Sequence, residues 1–187
     1  MAALYRPAHQ WQGDPNDDDP YGWFGCTSYA YAMGIDAITK GAVVPSGYEI
    51  RQLTDEAVPN PTDPGLTLQQ VDAAGNRFGV DFYLRTGPWR AVEKDLTDQR
   101  WTVLQVWYPR LGAAWMFQNP GNFGHAIGVM AISGDGRSAL VYDSLGHAAR
   151  WTPLAVLRAA AEEWGRRIGL RGGDVRWLAS ITTIPKV

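Results

Sequence analysis

The segment from His125 to Asp143, HAIGVMAISGDGRSALVYD, constrains the fold more than any other stretch, because two apolar runs rich in β-branched residues flank Ser-Gly-Asp-Gly-Arg. Such runs around a glycine-rich turn predict a β-hairpin. A three-residue loop of Gly134, Asp135 and Gly136 sets Ser133 opposite Arg137 and, in the same register, Ile127 opposite Asp143. His125 and Asp143 are then diagonal neighbours on one face, within side-chain reach. A two-residue Asp135-Gly136 turn shifts the register by one and parts the two residues onto opposite faces, unless a bulge intervenes.

Helical patterns dominate the chain before this hairpin. Residues 12–20, QGDPNDDDP, are turn formers and acids that mark an irregular segment. CTSYAYAMGIDAIT, residues 26–39, places Cys26, Ala30, Met33 and Ala37 on one face at helical spacing, with Gly25 just before the first turn. Ser46 with Glu49 predicts a capping box for a helix to about Ala57, and Thr67 with Gln70 another for a helix to about Phe78. Val80 to Leu84 reads as a short strand, Pro88 as the start of a helix to about Asp98, and Trp101 to Tyr108 as an aromatic, β-branched strand. Pro109 to Gly124 is a long irregular stretch carrying Trp115, Phe117 and Phe123, aromatics suited to lining a cleft. Beyond the hairpin, Thr152 reads as the cap of a helix with Pro153 at its first position and Gly169 past its end, and Asp174 to Ile184 as a last strand. This order implies an α+β fold with N-terminal helices packed on a C-terminal antiparallel sheet. The expected organisation is one domain over residues 1–187, its helical part at about 21–100 and its sheet part at about 101–187.

Composition excludes several function classes. Apolar residues make up 45% and charged residues 19%, enough for a core and without the signature of disorder. The net charge is −2 and the basic residues are scattered, which argues against nucleic-acid binding. No apolar run approaches the roughly 20 residues of a membrane helix. The N-terminus has no apolar signal segment, so synthesis in the cytoplasm without export by a signal peptide is expected, with the final site open to virion association or release. The acidic Asp17–Asp19 run reads as a solvated surface.

With one cysteine, Cys26, no internal disulfide can form. A thiolate is a nucleophile and a thiol is not, so a working cysteine needs something that lowers its pKa. The N-terminus of a helix does so through its unpaired amides, and a neighbouring imidazolium adds to it. Of the three histidines, His9, His125 and His147, the one that opens a strand after an aromatic loop is His125. An imidazole base needs an acceptor to fix its tautomer, and the hairpin offers Asp143.

GCTSYAYAM, then GHAIGVMAI, then ALVYDSLG together resemble papain-like cysteine peptidases, especially the bacteriocin-leader-processing, double-glycine type and its stand-alone relatives. The resemblance covers most of the chain and includes the strand WTVLQVW before the histidine. It implies a papain-like fold, a peptide or cell-wall stem-peptide substrate, no cofactor, and Cys26 as nucleophile, His125 as general base and acid, and Asp143 as orienting acceptor. That family carries a glutamine as oxyanion donor six residues before the cysteine, where this chain has Pro20. Gln12, Asn16, Tyr21 and Trp23 are the candidate replacements, with Gln10 further upstream. PYGWFGCTSYAY is also faintly similar to cell-wall hydrolases of the NlpC type.

Alternatives stand beside this reading. Asp14, Asn16 and Asp18 alternate as calcium ligands can, but the segment lacks the glycine and terminal glutamate of an EF-hand. Cys26, His125, Asp143 and His147 contain no tight ligand pair for zinc, so no metal is expected. The same fold with a degraded oxyanion hole would serve as a structural or interaction protein, for example in a phage virion or a homo-oligomer. Capture of the thioester by an amine would make it a transferase.

Overall fold

The computed structural model describes residues 3–11, 25–57, 67–112, 123–146 and 148–186. Its helices are α1 (Cys26–Thr39), α2 (Gly47–Ala57), α3 (Leu68–Gly75), α4 (Trp89–Thr97) and α5 (Leu154–Arg167). Its strands are β1 (Phe82–Gly87), β2 (Arg100–Trp107), β3 (Gly124–Ile132), β4 (Ser138–Tyr142), β5 (Arg150–Pro153) and β6 (Val175–Thr183). The strands form one sheet in the order β1-β6-β2-β3-β4-β5, and every neighbouring pair is antiparallel.

The local signals for the helices are visible as hydrogen bonds. Thr67 and Gln70 form a reciprocal capping box, with Gln70 N–H donating to Thr67 Oγ1 at 3.3 Å and Thr67 N–H to Gln70 Oε1 at 2.8 Å. Ser46 Oγ accepts from Glu49 N–H at 3.0 Å ahead of α2. Every residue of α1 from Thr27 to Ala37 is buried, which makes it a central helix enclosed on all sides and not an amphipathic one on a surface.

Alternation along the strands splits the core into two layers. Trp101 and Val103 of β2, Ala126 and Met130 of β3, Tyr142 of β4 and Leu178 of β6 pack with α1. Leu104, Val106, Ile127, Val129, Val141 and Trp177 pack with α4 and α5 on the other side. Trp101 is the wedge between α1 and the sheet: it is fully buried and its Nε1–H donates to Ala30 O at 3.1 Å. It fits because Gly34 and Gly128 lack side chains, and a Cβ on Gly34 would lie 2.5 Å from its ring. On the opposite layer the buried Asp95 of α4 accepts from Trp177 Nε1 at 2.8 Å and from Arg85 at 2.8 and 2.9 Å, which ties α4 to β6 and β1.

Two sequence expectations are corrected. The β3-β4 loop is longer than three residues: Ser133 N–H donates to Ser138 O at 2.8 Å, so Ser133 faces Ser138 and not Arg137. Asp135 Oδ1 closes this wider loop by accepting from Ser133 Oγ and Arg137 N. The pairing is therefore one residue out near the turn (Ile132 with Ala139), but a bulge between Val129 and Ala131 restores it, and Val129 faces Val141. Thr152 lies in a strand missed from the sequence, β5, where it pairs with Ala139; Pro153 takes the N-cap position and α5 begins at Leu154.

The wedge makes a stability prediction. Gly34→Ala and Gly128→Ala should each destabilise the protein by about 1–3 kcal/mol through overpacking. Because both displace the same indole, the double variant should lose less than the sum, as read from urea unfolding midpoints.

Candidate active site

Cys26 is the first residue of α1 and is half-buried. The N-cap before it is Gly25, which has no side chain to cap the helix, so Cys26 stands at the positive end of α1. Ser28 Oγ donates to Gly25 O at 2.8 Å and holds this corner in shape.

His125 is the second residue of β3 and couples electrostatically to Cys26. Its Nε2 lies 2.6 Å from Asp143 Oδ1. A carboxylate only accepts, so Nε2 carries the proton and Nδ1 is left for the thiol. Both members of this pair are almost sealed from solvent, His125 at 3% and Asp143 at 0% exposure. Asp143 follows β4, and its Oδ1 also accepts from Leu145 N–H at 3.0 Å, which anchors the carboxylate in the turn after the strand.

The electrostatics favour an ion pair. Burial pushes the Cys26 thiol up, yet the charge and hydrogen bond of His125, the Ala126 amide and the Thr27 hydroxyl outweigh it and leave the pKa below its ordinary value. For His125, burial works against the charged form, but the Asp143 carboxylate and Cys26 push its pKa up to about 10. Both shifts run toward a thiolate beside an imidazolium backed by a carboxylate, the state required of a nucleophile that attacks without prior proton transfer.

The sequence-predicted residues divide in four. Cys26, His125 and Asp143 are brought together. Phe123 is 39% exposed, stacks on the buried Tyr108 at 5.2 Å and presents its edge to the His125 ring at 6.1 Å, so it stands beside the imidazole. Gln12, Asn16, Tyr21, Trp23, Trp115, Phe117, His147 and the alternating Asp14, Asn16 and Asp18 lie outside the described residues. Gln10 is committed elsewhere: its amide donates to Pro45 O at 2.8 Å and accepts from Gly47 N at 2.9 Å, well used as a structural clamp. Tyr108, missed from the sequence, contacts the His125 ring edge-on at 4.8 Å; its place directly after an aromatic strand was the available signal. Also missed was His9, whose Nε2 lies 3.0 Å from the Asp143 carbonyl. No local pattern announces a contact between residues so far apart. Among the described residues no group of three or more His, Cys, Asp or Glu side chains could hold a metal ion, and no helix is long and apolar enough to cross a membrane.

No family model matches the chain, and no curated protein is similar to it. Solved structures are. A protein assigned as a C39-like peptidase from Bacillus anthracis superposes with a TM-score of 0.62 at 11% identity, covering 98% of each chain. UfSP from C. elegans aligns with a TM-score of 0.49 at 11% identity over the whole of this chain and 35% of that one. The first likeness shows the fold: helices on an antiparallel sheet, in the α+β, papain-like arrangement of the C39-like peptidase.

The ion pair predicts how Cys26 reacts. Alkylation by iodoacetamide, followed against pH, should report a thiol pKa below the ordinary value of about 8.5. In His125→Ala only the Ala126 amide and the Thr27 hydroxyl still oppose the burial effect, and the alkylation pKa should rise. An ordinary thiol that ignores the substitution would mean that the two side chains are uncoupled.

Proposed function

We propose that the protein is a cysteine peptidase or amidase that hydrolyses a peptide amide through a thioester on Cys26. The observation that carries this reading is the constellation itself, a half-buried thiol at a helix N-terminus, electrostatically coupled to a buried imidazole that is hydrogen-bonded to a buried carboxylate. The fold shared with a C39-like peptidase supports it.

In this mechanism the Cys26 thiolate attacks the carbonyl carbon, and the negative charge moves to the carbonyl oxygen, where the Cys26 backbone N–H and a second donor receive it. His125 passes its Nδ1 proton to the departing amine, leaving a thioester. The imidazole, now neutral, takes a proton from water, the hydroxide attacks the thioester, and the thiolate leaves. Asp143 keeps the ring in one orientation and stabilises its charged form throughout. Phe123, with one face on Tyr108, offers its other face to the substrate beside the scissile bond. A polypeptide is the substrate favoured by the fold's likeness, and the peptide of a cell-wall stem is the second arm of the test.

Peptide mixtures and purified peptidoglycan, incubated separately with the protein and analysed by mass spectrometry, should reveal new amino termini in one of the two, and Cys26→Ser should abolish them. Asp143→Asn should lower kcat/KM by about 10²- to 10⁴-fold with little change in fold. The pH profile follows from the pKa directions. Activity needs Cys26 ionised, so it is lost as pH falls through the depressed thiol pKa; it needs His125 charged, so it is lost as pH rises through about 10. No turnover of either substrate class, with no trapped acyl-enzyme, would leave a domain that keeps the constellation for a structural purpose.

A further inference from the structure

Residues 3–11 run as a strap across α1 and toward the active-site end of β4. Leu4 bridges Lys186, and Tyr5 N–H donates to Pro185 O at 3.0 Å. The buried Asp36 of α1 accepts from Tyr5 Oη at 3.2 Å and from Ala8 N–H at 2.8 Å. Gln10 donates its backbone N–H to Met33 Sδ and clamps Pro45 and Gly47 with its side chain. Between these ties His9 turns toward β4, where its ring lies nearly parallel to Tyr142 at 6.2 Å and its Nε2 reaches Asp143 O at 3.0 Å.

A carbonyl accepts only, so His9 is the donor. Gly146 N–H donates to the same carbonyl at 2.9 Å, which gives its two lone pairs two donors. The carboxylate of Asp143 is less well held. Oδ1 takes both His125 and Leu145, while the buried Oδ2 has no hydrogen-bond partner among the described residues. Its aim at His125 therefore depends on the position of the Asp143 backbone, and that is what His9 grips. The strap does not need this bond to stay in place, because Ala8 and Gln10 on either side are tied independently.

We infer that His9 is a positioning residue for the Asp143–His125 pair, acting through the Asp143 carbonyl and never touching substrate. The inference rests on the proposed role of Cys26, His125 and Asp143.

Two substitutions separate the hydrogen bond from the ring contact. His9→Phe keeps a flat ring on Tyr142 and removes the donor; His9→Gln keeps an amide donor and removes the ring. Iodoacetamide alkylation of Cys26 against pH is measured in each, with thermal unfolding alongside. The thiol pKa in His9→Phe should shift upward and the rate at pH 6.5 fall up to about tenfold, the worth of one hydrogen bond, with His9→Gln recovering most of the loss. Should His9→Phe fail to fold, His9→Ala takes its place and must fall in the same way. A His9→Phe profile that superimposes on the unsubstituted protein overturns the inference, and so does His9→Gln being as slow as His9→Phe. An ordinary thiol in the unsubstituted protein would remove the proposed function itself, a result distinct from a depressed thiol pKa that is indifferent to His9.

Discussion

Trp101 is the contact on which the rest of the site depends. Its indole fills the space between α1 and the sheet, with Gly34 on one side and Gly128 on the other, and its ring nitrogen is bonded to the Ala30 carbonyl. Seating one helix on one strand in this way fixes two distances at once. Cys26 lies eight residues before Gly34 on a rigid helix, and His125 three residues before Gly128 on a paired strand, so the indole that sets the helix also sets the thiol over the imidazole. Close packing turns that wedge into precision, because a core at crystal-like density has no slack to absorb a shift.

Burial then gives the pair its chemistry. A charged imidazole and a thiolate each resist removal from water, and either alone inside the protein would give up its charge. Together, with Asp143 behind, each supplies the opposite charge the other lacks. The arrangement is costly to bury and is held by neighbours that do no chemistry: the Leu145 and Gly146 amides, the Tyr108 ring, and the Ser28 hydroxyl at the Gly25 corner. A candidate site of this kind is therefore spread through the fold, with its ionisable groups from three places in the chain and its supports from several more.

Much of this was legible in the residues. Glycine before an apolar helix marked the start of α1 and put Cys26 there; Ser46 with Glu49 and Thr67 with Gln70 marked two further helix starts. Strand alternation on either side of Ser-Gly-Asp-Gly-Arg put His125 and Asp143 on one face. The exact turn was not legible. Asp135 closes a loop one residue longer than expected, and the bulge around Met130 takes up the extra residue, so two local departures cancel where it matters. β5 was hidden because Thr-Pro before a helix is equally good as a cap and as the end of an edge strand, and only pairing with β4 decides between them.

What the sequence determined by itself, then, is most of the elements and the chemistry each carries: a thiol at the head of a helix, an imidazole and a carboxylate on paired strands. Those follow from periodicity, caps and turn residues, which act over a few neighbours in the chain. Only the tertiary structure decided that Trp101 locks α1 to β2 and β3, that β1 pairs with β6, that Gln10 is a clamp and that His9 grips the carbonyl of Asp143. It also decided the directions in which the pKa values of Cys26 and His125 move. These depend on burial and on distances between groups remote in sequence, quantities that no local pattern encodes because the closing of the chain creates them.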